Sequence, residues 1–218
     1  MAADLAAKLR ITEIFHSIQG ESSRVGLPTV FVRLTGCPLR CVWCDTEYAF
    51  NGGQTSDVAA VLKRVAEFGC KTVCVTGGEP LAQKPCLDLL TALCDAGYSV
   101  SLETSGALDI SEVDARVAKI MDLKAPDSGE SARNCWENID HLATTDELKF
   151  VLSSESDYQW ARGVVHDRQL DQRCPILFSP VQGKLDPARL ADWVLRDRLP
   201  VRFQLQLHKV LWGSVAGR

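Results

Sequence analysis

Three cysteines stand close together at Cys37, Cys41 and Cys44, spaced Cys-x3-Cys-x2-Cys within the run Thr35-Gly36-Cys37-Pro38-Leu39-Arg40-Cys41-Val42-Trp43-Cys44-Asp45-Thr46. A structural zinc site closes a tetrahedron with four protein ligands, and no fourth Cys or His lies nearby in the sequence. Iron-sulfur clusters are held by Cys thiolates, and a four-iron cube bound by only three of them keeps one iron open to bind and reduce something else. The loop therefore reads as reactive rather than structural. Two other readings stay open at this point: a zinc knuckle that borrows a distant His16 or His208, and a disulfide. The second fits poorly with an odd count of nine cysteines and with a chain far above the size that depends on such staples.

Other side chains could serve such a centre. Gly77-Gly78-Glu79-Pro80 follows the apolar run Val73-Cys74-Val75. Its glycines let a ligand come close to the backbone, and Glu79 offers a carboxylate to an ammonium group, although Gly-Gly and Pro are equally at home in an ordinary turn. Glu103 with Thr104-Ser105-Gly106 supplies a carboxylate and hydroxyls suited to ribose oxygens. Arg33 sits inside an apolar strand, where a charge must be paired; a bidentate clamp on a carboxylate would pair it. Lys124, His208 and Lys209 are expected at strand ends. Cys70, Cys74, Cys86, Cys94, Cys135 and Cys174 are expected to pack as small apolar residues.

These side chains need a frame, and the hydrophobic pattern supplies one. Strands are expected over 11–18, 30–34, 71–76, 98–103, 119–124, 147–152, 175–178 and 201–207. Helices are expected from Ser56 to Gly69, over 85–96, from Ser111, over 133–142, over 157–165, and from Asp186 with Pro187 at the first helical position. Such alternation implies a parallel sheet with right-handed crossovers, in fewer units than the eight of a closed barrel. Cys37, Gly77, Glu103, Lys124 and Gln182 all fall at or just past the C-terminal ends of strands. That rim is where barrel-like α/β proteins build their active sites.

Length and composition narrow the class. The 218 residues suit one α/β unit able to bury its own core. A net charge of −4 argues against a general nucleic-acid binder and for a small-molecule substrate. No apolar run approaches the roughly 20 residues of a membrane-spanning helix. Met1-Ala2-Ala3-Asp4-Leu5 lacks the basic region and hydrophobic core of a signal peptide, so a reducing cytoplasm is the expected setting.

Taken together, Cys37-x3-Cys41-x2-Cys44 and Gly77-Gly78-Glu79-Pro80 resemble the radical S-adenosylmethionine enzymes. Gln19-Gly20-Glu21, Arg33, Asp45-Thr46 and the closing His208-Lys209-Val210-Leu211-Trp212 narrow the resemblance to the 7-carboxy-7-deazaguanine synthase family, over essentially the whole length. The resemblance implies a single radical-SAM domain over 1–218, built as a truncated, partly open (β/α)6-type barrel with parallel strands. It implies a four-iron four-sulfur cluster on Cys37, Cys41 and Cys44, and S-adenosylmethionine held by Trp43, Cys44, Asp45, Gly78, Glu79, Glu103, Lys124, Ser179, Pro180, Val181 and Gln182, with Glu103 in the catalytic set.

The substrate so implied is 6-carboxy-5,6,7,8-tetrahydropterin, contacting Ile18, Gln19, Gly20, Arg33 and Thr76, with Mg2+ beside its carboxylate on Thr46. A 5′-deoxyadenosyl radical would take hydrogen from carbon 6, and ring contraction with loss of ammonia would follow. An electron-donor protein such as flavodoxin and a homodimer are further implications, with no direct contact to nucleic acid or membrane. Ser22 departs from the family's pattern, in which Gln-Gly-Glu is commonly followed by glycine. A glycyl-radical-enzyme activating protein would share the cysteine loop but need a protein partner, and a non-catalytic zinc-binding protein would carry zinc and no sulfide.

Overall fold

The computed structural model describes residues 2–213, 215 and 217. Nine strands form one sheet: β1 (Lys8–Ile18), β2 (Pro28–Leu34), β3 (Gln54–Asp57), β4 (Thr72–Gly77), β5 (Ser99–Thr104), β6 (Ala118–Asp122), β7 (Glu147–Leu152), β8 (Ile176–Pro180) and β9 (Arg202–Phe203). Their order is β3-β1-β2-β4-β5-β6-β7-β8-β9. From β2 to β9 every pairing is parallel, whereas β1 runs antiparallel to both β2 and β3. β3 and β9 are the two edges, so the sheet curves as part of a barrel and does not close.

Strand alternation divides the molecule into two sides. Val30, Val32, Val73, Val75, Val100, Leu102, Leu148 and Phe150 are fully or almost fully buried in the apolar core. Their partners come from α1 (Val58–Ala66), α2 (Cys86–Asp95), α3 (Glu155–Asp167) and α4 (Pro187–Arg196), through residues such as Val61, Leu89, Leu93, Ala161 and Leu190. Each such Val or Leu contributes roughly 1.5–3 kcal/mol by leaving water. The intervening residues Arg33, Thr76, Glu103, Asp122 and Lys149 face the other side and line a cavity. The polar residues at alternate strand positions are thus the inner wall of a half-barrel.

The expected helix starts and crossovers need four corrections. Ser56 lies in β3, and Asp57 caps α1 by accepting from the Ala60 amide at 2.8 Å. No helix follows Ser111: Asp109 accepts both its amide (2.8 Å) and its hydroxyl (2.9 Å), which closes a tight turn instead. The segment 133–142 forms short 3-10 turns, Ser131–Arg133 and Trp136–His141, rather than an α-helix. Buried Asn138 holds it there by donating to the Gly106 and Leu108 carbonyls and accepting from the Ile110 amide. The last strand stops at Phe203, because Gln204 turns its amide side chain onto the Ser22 backbone (2.7 and 2.8 Å). His208 and Lys209 consequently lie in a short terminal helix, α5 (Leu207–Trp212), whose first amide donates to Gly20.

Candidate active site

A cavity of about 480 Å³ fills the inner side of the half-barrel, within the size range of small-molecule sites. One wall is the cysteine loop. Gly36, at φ +97°, sends the chain out of β2 and donates to the Ala49 carbonyl at 2.8 Å. Its own carbonyl accepts from the Glu79 amide at 2.8 Å, and the Gly78 amide donates to Leu34 at 3.1 Å. A Cβ on Gly78 would stand 2.2 Å from the Gly36 oxygen and 2.8 Å from the Cys37 Cβ; one on Gly77 would stand 2.5 Å from the Leu34 oxygen. Both glycines are therefore required for the cysteine loop itself to seat against β4.

Glu79 locks that seat from behind. Its fully buried carboxylate accepts from Thr104 Oγ1 (2.9 Å), the Ser105 amide (2.6 Å) and hydroxyl (2.5 Å), and the Leu81 amide (3.0 Å). It does not line the cavity, and neither do Ser179 and Pro180. Among the described residues the Ser179 hydroxyl is buried with no hydrogen-bond partner. It sits on β8 just before Val181 and Gln182, which do line the cavity.

Cys37, Cys41 and Cys44 are all free thiols at the cavity wall. Partial burial pushes the Cys37 and Cys41 thiols up; the Leu39 amide (3.5 Å from the Cys37 sulfur) and Lys124, beside Cys41, oppose it. Burial alone would lower the pKa of Lys124, but Asp122 at 3.0 Å outweighs it and holds it above the usual lysine value. Three soft thiols on one exposed loop beside a fixed cation fit a thiolate-bound iron-sulfur cluster, whose binding would itself draw the protons off. Trp43, Asp45, Gly78, Glu103, Lys124, Val181 and Gln182 surround the same space. That set suits a charged nucleoside ligand.

Asp45 and Thr46 line the cavity together, the Thr46 hydroxyl donating to Asp45 at 3.1 Å. Partial burial would raise the Asp45 carboxyl, but Lys209 at 2.7 Å brings it down to about 2. A hydroxyl and a permanently ionised carboxylate fit the oxygen ligands that Mg2+ prefers.

A second part of the lining is assembled from side chains far apart in the sequence. Glu103 accepts from Gln19 Nε2 (3.2 Å) and from the Thr76 hydroxyl (3.1 Å). Glu21 pairs with Lys149 and accepts from Gln206, while Lys149 lies 3.8 Å from Asp122, which continues to Lys124. Burial opposes ionisation of both Glu21 and Lys149, yet their mutual attraction holds Glu21 below and Lys149 above the usual values. Gly20 has no Cβ because the His208 ring occupies the place: Nδ1 would lie 2.0 Å away. Burial keeps His208 below its ordinary value. Ile18 completes this wall, and Arg33 reaches the cavity from β2.

Sequence reasoning missed Glu21, Asp122, Lys149 and Gln206 as lining residues. Lys149 carried a signal: it stands in the apolar strand Glu147–Leu152 just as Arg33 stands in β2, and a charge there needs a partner. Ser22 has φ +69°, the left-handed region that glycine adopts freely. The two Gln204 hydrogen bonds hold the serine in that conformation.

A model of the Radical SAM superfamily matches residues 31–127. A 7-carboxy-7-deazaguanine synthase of Chlorobaculum tepidum is 49% identical, over 96% of this chain and 97% of the relative. One from Koribacter versatilis is 42% identical over 94% and 97%. Among solved structures, QueE from Escherichia coli aligns with a TM-score of 0.77 at 20% identity, covering 92% of this chain and 95% of that one. Streptococcus suis SuiB bound to S-adenosylmethionine aligns at 0.56 and 16% identity, over 78% and 45%. With half of its residues shared with a relative across nearly its full length, and with the three thiols set on the cavity wall, the chain belongs to the 7-carboxy-7-deazaguanine synthase family of radical S-adenosylmethionine enzymes.

Proposed function

We propose that this chain, as one catalytic unit, converts 6-carboxy-5,6,7,8-tetrahydropterin to 7-carboxy-7-deazaguanine with ring contraction and loss of ammonia. The observation that carries the reading is one cavity lined by two unlike groups: three free thiols, and Arg33 with Gln19 and Thr76. Cys37, Cys41 and Cys44 would hold the four-iron four-sulfur cluster. When bound, cluster and S-adenosylmethionine supply a 5′-deoxyadenosyl radical, which takes hydrogen from carbon 6.

Each wall has its own task. Trp43, Asp45, Gly78, Glu103, Lys124, Val181 and Gln182 orient S-adenosylmethionine between the thiols and the substrate, and Glu79 acts from behind by fixing the turn that presents Gly78. Arg33 takes the substrate carboxylate, and Thr46 with Asp45 holds Mg2+ beside it. Gln19 and Thr76 steady the Glu103 carboxylate through the hydrogen bonds above. The closed ion ladder Glu21, Lys149, Asp122, Lys124 keeps fixed charges under the ligands without a free buried charge. The same reading takes an electron-transfer protein such as flavodoxin as donor, a homodimer as the working assembly and a reducing cytoplasm as its place. Among the described residues no helix is long and apolar enough to cross a membrane.

Anaerobically reconstituted protein should contain acid-labile sulfide and convert the carboxy-tetrahydropterin, and Cys41→Ala should lower product to background. Stoichiometric zinc without sulfide, or normal product from Cys41→Ala, would overturn the proposal. A requirement for a protein partner, with no turnover of the pterin, would point to an activating protein instead.

A further inference from the structure

Arginine has a long, freely rotating side chain, so a clamp built on it needs something to hold the guanidinium still. In this molecule two residues outside the assigned set do so. Glu13 on β1 faces Arg33 on β2 across the antiparallel ladder. The Arg33 Nε donates to Glu13 Oε1 at 2.8 Å, and the Tyr48 hydroxyl donates to that same oxygen at 2.8 Å. The guanidinium carbon lies 5.8 Å from the Phe15 ring centroid and 5.9 Å from that of Tyr48, within cation–π range of both rings. Both side chains of the ion pair are mostly buried, at 14% and 23% exposure, where a directed hydrogen bond is costly to break.

Glu13 consumes the Nε edge of the fork. The two terminal nitrogens have no acceptor among the described residues, and Arg33 lines the cavity. Partial burial, and Glu13 acting against Arg33, push the Tyr48 hydroxyl up to about 12, so Tyr48 stays a donor to Glu13 across the physiological range. With Glu13 beside it the Arg33 charge is largely balanced. Selection of a ligand carboxylate then rests on the direction of two N–H bonds more than on net charge.

We propose that Glu13 and Tyr48 are positioning residues that fix Arg33 as a two-pronged clamp and thereby set the site's preference for a carboxylate-bearing pterin. This rests on the substrate reading above, and its test separates the two. Equilibrium binding to the anaerobically reconstituted full chain with S-adenosylmethionine is measured for 6-carboxy-tetrahydropterin and for tetrahydropterin lacking the carboxylate. The unsubstituted chain should favour the carboxylated ligand by about ten- to a hundredfold, the scale of hydrogen bonds to a charged group.

Glu13→Ala should cut that preference about tenfold and leave affinity for the uncarboxylated ligand within about twofold. Glu13→Gln keeps an acceptor oxygen in place and should restore most of the preference, and Tyr48→Phe should lose about threefold. In turnover the Glu13→Ala effect should appear in KM, with kcat nearly unchanged. Full preference retained in Glu13→Ala, or Glu13→Gln no better than Glu13→Ala, overturns the positioning role while the substrate reading stands. No preference in the unsubstituted chain overturns the substrate reading and the inference with it.

Discussion

The two walls of the cavity are held by different means. The cysteine wall is a backbone construction: Leu34, Gly36, Gly78 and Glu79 hydrogen-bond main chain to main chain at the ends of two adjacent parallel strands. The other wall is made of side chains recruited over long distances, with Glu21 bonding residues 128 and 185 positions away. Backbone seats tolerate changes of side chain but not the addition of a Cβ. Side-chain ladders tolerate backbone adjustment but not the loss of one charge. The molecule thus fixes its cysteine loop by backbone shape and the residues around Glu21 by charge balance.

The largest effect expected from breaking this contrast comes from Lys149→Met. It would leave Glu21 buried without its charged partner and Asp122 with Lys124 alone, and removal of one partner from a buried pair costs about 3–5 kcal/mol. The pH dependence has a definite sign. In the native chain Glu21 is held below its usual value, so its contribution is present above about pH 4 and fades as pH falls below that. In Lys149→Met burial is opposed mainly by the Gln206 hydrogen bond, so Glu21 moves up from its native position and the deficit should shrink on acidification. Urea denaturation at several pH values measures it, and a deficit independent of pH would count against the ladder.

Next in size is Gly78→Ala, which should cost about 1–3 kcal/mol, since the added methyl meets backbone rather than a side chain able to swing away. It should also lower the iron and sulfide bound per chain. A variant as stable and as well loaded as the parent would show that the cysteine loop has another seat.

Ser22→Gly tests the substrate wall in the opposite direction. Relief of a left-handed serine should raise stability by up to about 1 kcal/mol, read as a higher midpoint in thermal unfolding. A loss would mean that the buried Ser22 hydroxyl, which accepts from the Arg24 amide, outweighs the strain. The smallest effect is expected for Lys209→Ala. The Asp45 side chain is 49% exposed, so the pair is worth less than about 1 kcal/mol. The Asp45 carboxyl should nonetheless move from about 2 toward its ordinary range, visible by NMR titration.

This contrast also explains what was legible in the sequence. Cys37, Gly77, Glu103, Lys124 and Gln182 could be placed on one rim because each lies at or just past the end of a strand with a clear hydrophobic signature, and strand ends in a parallel sheet share an edge. The Asp186-Pro187 start of α4 and the boundaries of β7 were readable for the same local reasons. The ladder from Glu21 through Lys149 was not, because nothing local pairs residues 128 positions apart. The missing helix after Ser111 and the shortened β9 were hidden too: Asp109 and Gln204 spend their side chains on backbone groups, and such tertiary hydrogen bonds override local propensity.

Gly77 also gives room to the Leu34 backbone, and Gly78 to the Gly36 backbone and the Cys37 Cβ, a packing role that turn chemistry alone did not show.

The central claim is that one cavity sets the three thiols and Arg33 against the same small volume, so that hydrogen passes directly between the two ligands. Deuterium placed at carbon 6 of 6-carboxy-tetrahydropterin tests it. Anaerobic turnover with S-adenosylmethionine should yield 5′-deoxyadenosine carrying that deuterium, alongside 7-carboxy-7-deazaguanine. Product formed with unlabelled 5′-deoxyadenosine would contradict it.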